Sequence, residues 1–115
     1  LANDGSERPD APTLFELLRK ERGLPQSAVR LVTGKDKLAA VSYSTHPLYG
    51  AAYGATVDAV SRQDPATHVA AVNAITATPR PVFTLVNFAS VDYAGHSGVW
   101  EDYLHALAQA DSLVG

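Results

Sequence analysis

The segment that most constrains this chain is Val82-Phe83-Thr84-Leu85-Val86-Asn87-Phe88. It is apolar at nearly every position and lacks the polar alternation of a strand with one wet face. A short run of this kind, introduced by Pro81, reads as a β-strand covered on both sides. Helical patterns flank it. Before it, Asp64 offers a capping carboxylate and Pro65 a first helical position. Val69, Val72 and Ile75, with Ala70, Ala71 and Ala74, then continue a helix over about 65–77, ending before Pro79. After the strand comes a loop over 89–98, and then a helix over 99–114 with Trp100, Tyr103, Leu104, Leu107 and Ala110 near one face. Helix, buried strand, loop and helix in that order indicate an α/β fold. The expectation is a parallel or mixed sheet flanked by helices, with Val82–Phe88 as its central strand.

The upstream part is less regular. Residues 1–10 read as a linker. A helix over about 12–22 follows, with Pro12 in its first turn, Leu14, Phe15, Leu17 and Leu18 as an apolar stripe, and Arg19, Lys20 and Arg22 complementing its dipole. Gly23 suits a left-handed cap. Pro25–Ala28 reads as a turn, Val29–Thr33 as a strand, Lys35-Asp36-Lys37 as a charged turn and Leu38–Tyr43 as a second strand. From 44 to 63 the pattern fades, and Pro47, Gly50 and Gly54 interleaved with Tyr49 and Tyr53 suggest a long irregular cover. Such a stretch inside a domain is functional or partly helical. The middle segment is thus 11–81, followed by a strand-loop-helix unit over 82–115.

Composition removes several function classes. At 115 residues, 46% hydrophobic, the chain can bury one core without staples. Nine basic against twelve acidic residues, a net charge of −3, leave no basic stripe for a nucleic-acid backbone. No apolar run approaches the roughly 18 residues of a membrane span. Without cysteine there is no thiolate nucleophile, disulfide or Cys-type zinc site. Any metal must be held by histidine and carboxylate. The compartment stays open, since the first residue is Leu1 rather than Met and disulfide-free proteins are also exported.

Ligands of open α/β sheets bind at the carboxyl ends of the strands, which draws attention to the loop after Val82–Phe88. There Asp92 and His96 stand four residues apart, with Gly95 between them. If the turn is helical, both side chains share a face and can reach one ion. A carboxylate oxygen with an imidazole nitrogen suits Zn²⁺ or Mn²⁺, whereas Mg²⁺ and Ca²⁺ prefer oxygen alone. The spacing also arises by chance: Asp92 can cap the loop, and His96 can bond a backbone carbonyl.

The run Asn87-Phe88-Ala89-Ser90-Val91-Asp92-Tyr93-Ala94-Gly95-His96-Ser97-Gly98, followed by Tyr103, Ala106, Asp111, Val114 and Gly115, resembles the alkaline phosphatase superfamily. The Asp-x-x-Gly-His motif and its following helix are similar to the type I phosphodiesterase and nucleotide pyrophosphatase branch. A close variant occurs in cofactor-independent phosphoglycerate mutases. The specific match covers 82–115; Pro12–Leu18 and Ser44–Gly50 resemble bacterial phosphodiesterase-like members more loosely. The resemblance implies an alkaline phosphatase-like fold and a phosphate-ester substrate. It also implies two divalent metal ions, usually zinc and in the mutases manganese, with Asp92 and His96 ligating one of them. Asp111 matches a position of structural role. Catalysis in the family is in-line attack on phosphorus by a metal-activated Thr or Ser, with the two metals clamping the attacking and leaving oxygens.

The family's nucleophile segment and its later Asp-His motif have no counterpart here. The expectation is therefore that 115 residues is a fragment length, with Leu1 and Gly115 as cut ends, no catalytic residue in this chain and no activity of its own. Thr45 and Ser44 lie beside His46 but outside the nucleophile's context, so Thr45 reads as a turn-capping hydroxyl and His46 as a solvated loop histidine. His68 and His105 read as surface residues, and Trp100 and Tyr103 as core anchors. Gly34 is too isolated to be a phosphate loop. Three readings stand: part of a phosphodiesterase or phosphatase, part of a phosphomutase, or a small α/β binding module carrying the motif by accident. An unpaired sheet edge would favour a homo-oligomer.

Overall fold

The computed structural model describes residues 2–115; Leu1, read above as a cut end, lies outside the described residues. The protein is α/β. Three parallel strands, β1 (Val29–Thr33), β2 (Thr56–Ala59) and β3 (Phe83–Asn87), form a sheet in the order β2-β1-β3. Helix α1 (Leu14–Arg22) precedes the sheet, α2 (Asp64–Ile75) links β2 to β3, and α3 (Ser90–Ser97) and α4 (Trp100–Val114) follow it.

Local chemistry explains most boundaries. Helix α1 starts at Leu14 because Thr13 and Glu16 form a reciprocal capping box, with the Thr13 amide donating to Glu16 Oε2 at 2.6 Å. It stops at Gly23, whose φ of 62° is the left-handed cap the sequence suggests. Asp64 does not cap α2. It is the helix's first residue, and its Oδ1 accepts the Ser90 amide at 3.0 Å, tying the start of α2 to the start of α3.

The sheet is covered on both faces. Phe15, Val29, Leu31 and Ala55 pack on one side, with Leu18, Val41, Val57 and Phe83 around them. Val32, Ala71 and Ala74 pack on the other, joined by Ala70 and Val86. At about 25 cal/mol per Å² of apolar surface, residues such as Leu31 and Val32, both fully buried, each contribute about 1.5–3 kcal/mol.

Five expectations are corrected. The central strand is β1, not Val82–Phe88: β3 lies at an edge, and its residues are half-buried or exposed. An apolar run records that both faces have neighbours, but not how many strands lie alongside. Leu38–Tyr43 is not a strand; residues Asp36–Ser42 form a 3₁₀ helix. Its Ala39 and Ala40 lack the β-branched bulk that favours a pleat, and their carbonyls accept from the Arg8 guanidinium instead of a ladder. Arg8 also stacks 3.4 Å above the Tyr43 ring, so part of the supposed linker is packed. The second strand in sequence, β2, instead comes from the stretch read as irregular. There Asp58 pairs across the sheet with Arg30 at 3.2 Å. Finally, the loop at 89–98 is the helix α3, closed by Gly98 at φ 74°.

Candidate metal centre

The chain leaves β1 over the Phe15 face, through the 3₁₀ helix whose Val41 packs there. It leaves β3 towards the opposite face, where α4 packs on α2. Neighbouring parallel strands whose exits diverge mark, at their carboxyl ends, the usual ligand position of such sheets. The junction of the two strand ends is fixed by hydrogen bonds. The Gly34 amide donates to the Asn87 carbonyl at 3.1 Å, Thr33 Oγ1 lies 3.3 Å from Asn87 Oδ1, and the Lys35 amide donates to Thr33 Oγ1 at 3.0 Å. Gly34 has little room for a side chain, since an added Cβ would stand 3.0 Å from Ala89 Cβ and 3.2 Å from Thr67 Oγ1.

Asp92 and His96 lie on α3, just beyond this junction. The helix places them one turn apart, with His96 Nε2 3.7 Å from Asp92 Oδ1. Lys35, carried by the end of β1, donates through Nζ to Asp92 Oδ2. That hydrogen bond, opposed by partial burial and reinforced by the charges of Lys35, His96 and Lys37, holds the Asp92 carboxyl below the usual aspartate range. The two side chains line a cleft of about 530 Å³ with Phe88, Val91, Gly95 and Tyr103. Gly95 faces the Tyr103 ring, where an added Cβ would make an ordinary contact at 3.6 Å. His96 is 80% exposed and Asp92 46%, so both donors are accessible.

These residues fit a divalent ion as a partial shell. Ligand atoms about 2.0–2.1 Å from tetrahedral zinc stand roughly 3.4 Å apart, close to the 3.7 Å between Nε2 and Oδ1. The donor pair of one carboxylate oxygen and one imidazole nitrogen is the chemistry zinc and manganese accept. Among the described residues no third His, Cys, Asp or Glu joins them. Further ligands would have to come from water, substrate or other protein.

The other candidates lie elsewhere. Thr45 caps no turn: its Oγ1 donates to the Pro9 carbonyl at 3.4 Å and its amide to the same oxygen at 2.9 Å, a structural contact across 36 positions. His46 is half-buried rather than solvated: its Nδ1 accepts the Leu48 amide at 3.2 Å and its ring meets Tyr49 edge-on. His105 is exposed, as its position off the apolar face suggests, whereas His68 is half-buried. Trp100 is no core anchor. It is 65% exposed and stacks on the half-buried Tyr103 at 5.6 Å. Sequence reasoning missed Lys35. Its position directly after a strand was a usable signal, but its contact with Asp92 spans 57 positions and depends on β1 and β3 being neighbours. No family model matches the chain, and neither a curated protein nor a solved structure matches it significantly.

Proposed function

We propose that this chain is part of a metal-dependent phosphoric ester hydrolase, a phosphodiesterase or phosphatase, in which Asp92 and His96 hold one of two divalent ions. Zinc is the expected metal and manganese the alternative. A Ser or Thr nucleophile and the remaining ligands belong to protein outside these residues, and the chain alone is inactive. The observation that carries the reading is the placement of Asp92 and His96 on one face of α3, beyond the carboxyl end of β3, with donor atoms 3.7 Å apart. The metal, when bound, supplies a Lewis acid that polarises the phosphoryl oxygens. Of the chain's own residues, Asp92 and His96 orient the ion, and Asn87 and Thr33 fix the strand ends beneath them.

Calorimetric titration of the 115-residue chain with Zn²⁺ tests this. Two protein ligands should give weak but saturable binding, and Asp92→Ala and His96→Ala should each abolish it. Identical isotherms for the wild type and both variants would overturn the assignment of the metal position.

A further inference from the structure

A second cleft lies on the Lys35 side of Asp92, at the carboxyl ends of β1 and β2. It measures about 350 Å³ and is walled by Gly34 and Lys35 from the loop after β1, Ser61 and Arg62 from the loop after β2, and Tyr93 from α3. Tyr93 is the residue next to Asp92, so the cleft begins where the metal position ends. Two cations converge on its ring: Arg62 Cζ lies 4.6 Å and Lys35 Nζ 5.3 Å from the centroid.

The charges in this cleft are not equally committed. Lys35 is paired with Asp92, and Lys37, which also reaches the wall, donates to Asn3. Of the two acids on the wall, Asp4 accepts from the Ser6 amide and hydroxyl, and Asp36 is exposed. Arg62, by contrast, has no carboxylate partner among the described residues; its cationic group rests only against Tyr93. A guanidinium held over an aromatic face keeps its fork of donors free, and a planar or tetrahedral oxyanion is the ligand that fork matches.

We propose that Arg62, with Ser61, Tyr93 and the neighbouring Lys35, forms a subsite for an oxyanion, and that the substrate of the proposed site is a phosphate ester carrying a second acidic group. The inference rests on the hydrolase reading for its substrate, though the anion site itself stands on the cleft's own geometry. The reacting phosphoryl group belongs beside Asp92 and His96, while a carboxylate or second phosphate of the same molecule reaches across Tyr93 to Arg62. Lys35, held by Asp92 between the two positions, adds positive potential to both. Arg62 is thereby a specificity-determining residue that touches the substrate away from the reacting bond.

The test uses the 115-residue chain labelled with ¹⁵N and titrated with inorganic phosphate, with malonate, and with chloride at matched ionic strength. Phosphate or malonate should shift the Gly34 and Ser61 amides and Arg62 Nε along one saturable curve, and chloride should not. Tighter phosphate binding assigns the second group as a phosphate, and tighter malonate binding assigns it as a carboxylate. Arg62→Ala should weaken binding at least about tenfold and Arg62→Lys should recover part of it, since loss of a charge-assisted hydrogen bond is worth roughly that much. Arg62 is exposed and packs only on Tyr93, so neither variant threatens the fold. Chloride shifting the same signals equally, or Arg62→Ala binding as tightly as the wild type, would overturn the proposal. Asp92→Asn separates the two readings: it should remove zinc binding yet leave phosphate bound. Zinc binding without a saturable anion response would refute the subsite alone, and the reverse would refute the metal position alone.

Discussion

Glu16 lies among Phe15, Leu17 and Leu18, where helical spacing gives no sign that a carboxylate is needed. It is nonetheless fully buried. Its Oε1 accepts from the Ser44 amide at 3.0 Å, the Ser44 hydroxyl at 2.7 Å and the Gly50 amide at 2.7 Å, while Oε2 accepts from Thr13. One side chain therefore caps α1 and pins the 44–50 segment against it. Burial pushes its pKa up, but the hydrogen bonds from Thr13 and Ser44 outweigh that and hold it below the usual glutamate range. The folded pKa lies under the unfolded one, so Glu16 contributes stability that is complete above the unfolded value and disappears as pH falls through the folded value. Glu16→Gln should remove that acid-limb dependence and turn an amide donor towards backbone donors. A loss of about 2 kcal/mol is expected in urea unfolding at neutral pH, and an unchanged midpoint would show that the carboxylate is dispensable. Lys35→Ala carries a separate expectation: with its first partner gone, Asp92 should titrate nearer the ordinary aspartate range, as followed by carboxyl NMR shifts.

What could be read in advance was set by local signals. Helix α1 declares itself through its apolar stripe and Gly23, α2 through Asp64-Pro65, and β1 through its β-branched residues. The misses share a cause, which is that long-range contacts settle an ambiguous local preference. The 3₁₀ helix over Asp36–Ser42, which takes most of the expected strand, is held by Arg8, some thirty positions away. The four residues of β2 form a strand because Arg30 and the rest of β1 accept them in register. Asp92 and His96 were legible as a pair, since spacing alone brings them together once α3 forms. Their setting was not, because Lys35 reaches Asp92 only through the sheet. Gly34 makes that setting testable. Gly34→Ala would force a Cβ against Ala89 and Thr67 where β1 meets the starts of α2 and α3. Overpacking of this kind costs about 1–3 kcal/mol, and the Lys35–Asp92 contact should loosen with it. Chemical denaturation gives the first effect and the Asp92 titration the second; wild-type values for both would mean the junction is slack.

The described residues form a flat plate, 46 × 34 × 17 Å, with three strands in its sheet. Of its two edges, β2 carries the charge of Asp58, whereas β3, Phe-Thr-Leu-Val-Asn, contains no charge, proline or bulge to discourage pairing. Leu85 in its middle is 44% exposed, and Val82, just before the strand, is more exposed still. Val69, Val72 and Ile75 of α2 and Leu104 and Leu107 of α4 add further open apolar surface. Monomers seldom leave contiguous apolar surface of this kind uncovered, and an unguarded edge is a template for another strand. A second copy of the chain carries the same self-complementary edge, so pairing of β3 with its equivalent about a twofold axis is the expected association. Sedimentation velocity should then show a sedimentation coefficient that rises with protein concentration. Leu85→Lys places a charge in the middle of the edge while disturbing little of the core, and it should return the chain to a monomer with an unchanged circular dichroism spectrum. Should Leu85→Lys associate as strongly as the wild type, the interface lies on the α2 and α4 surfaces rather than on β3. A wild type that stays monomeric at every concentration would instead mean that the edge strand, apolar as it is, is stable against water without a partner.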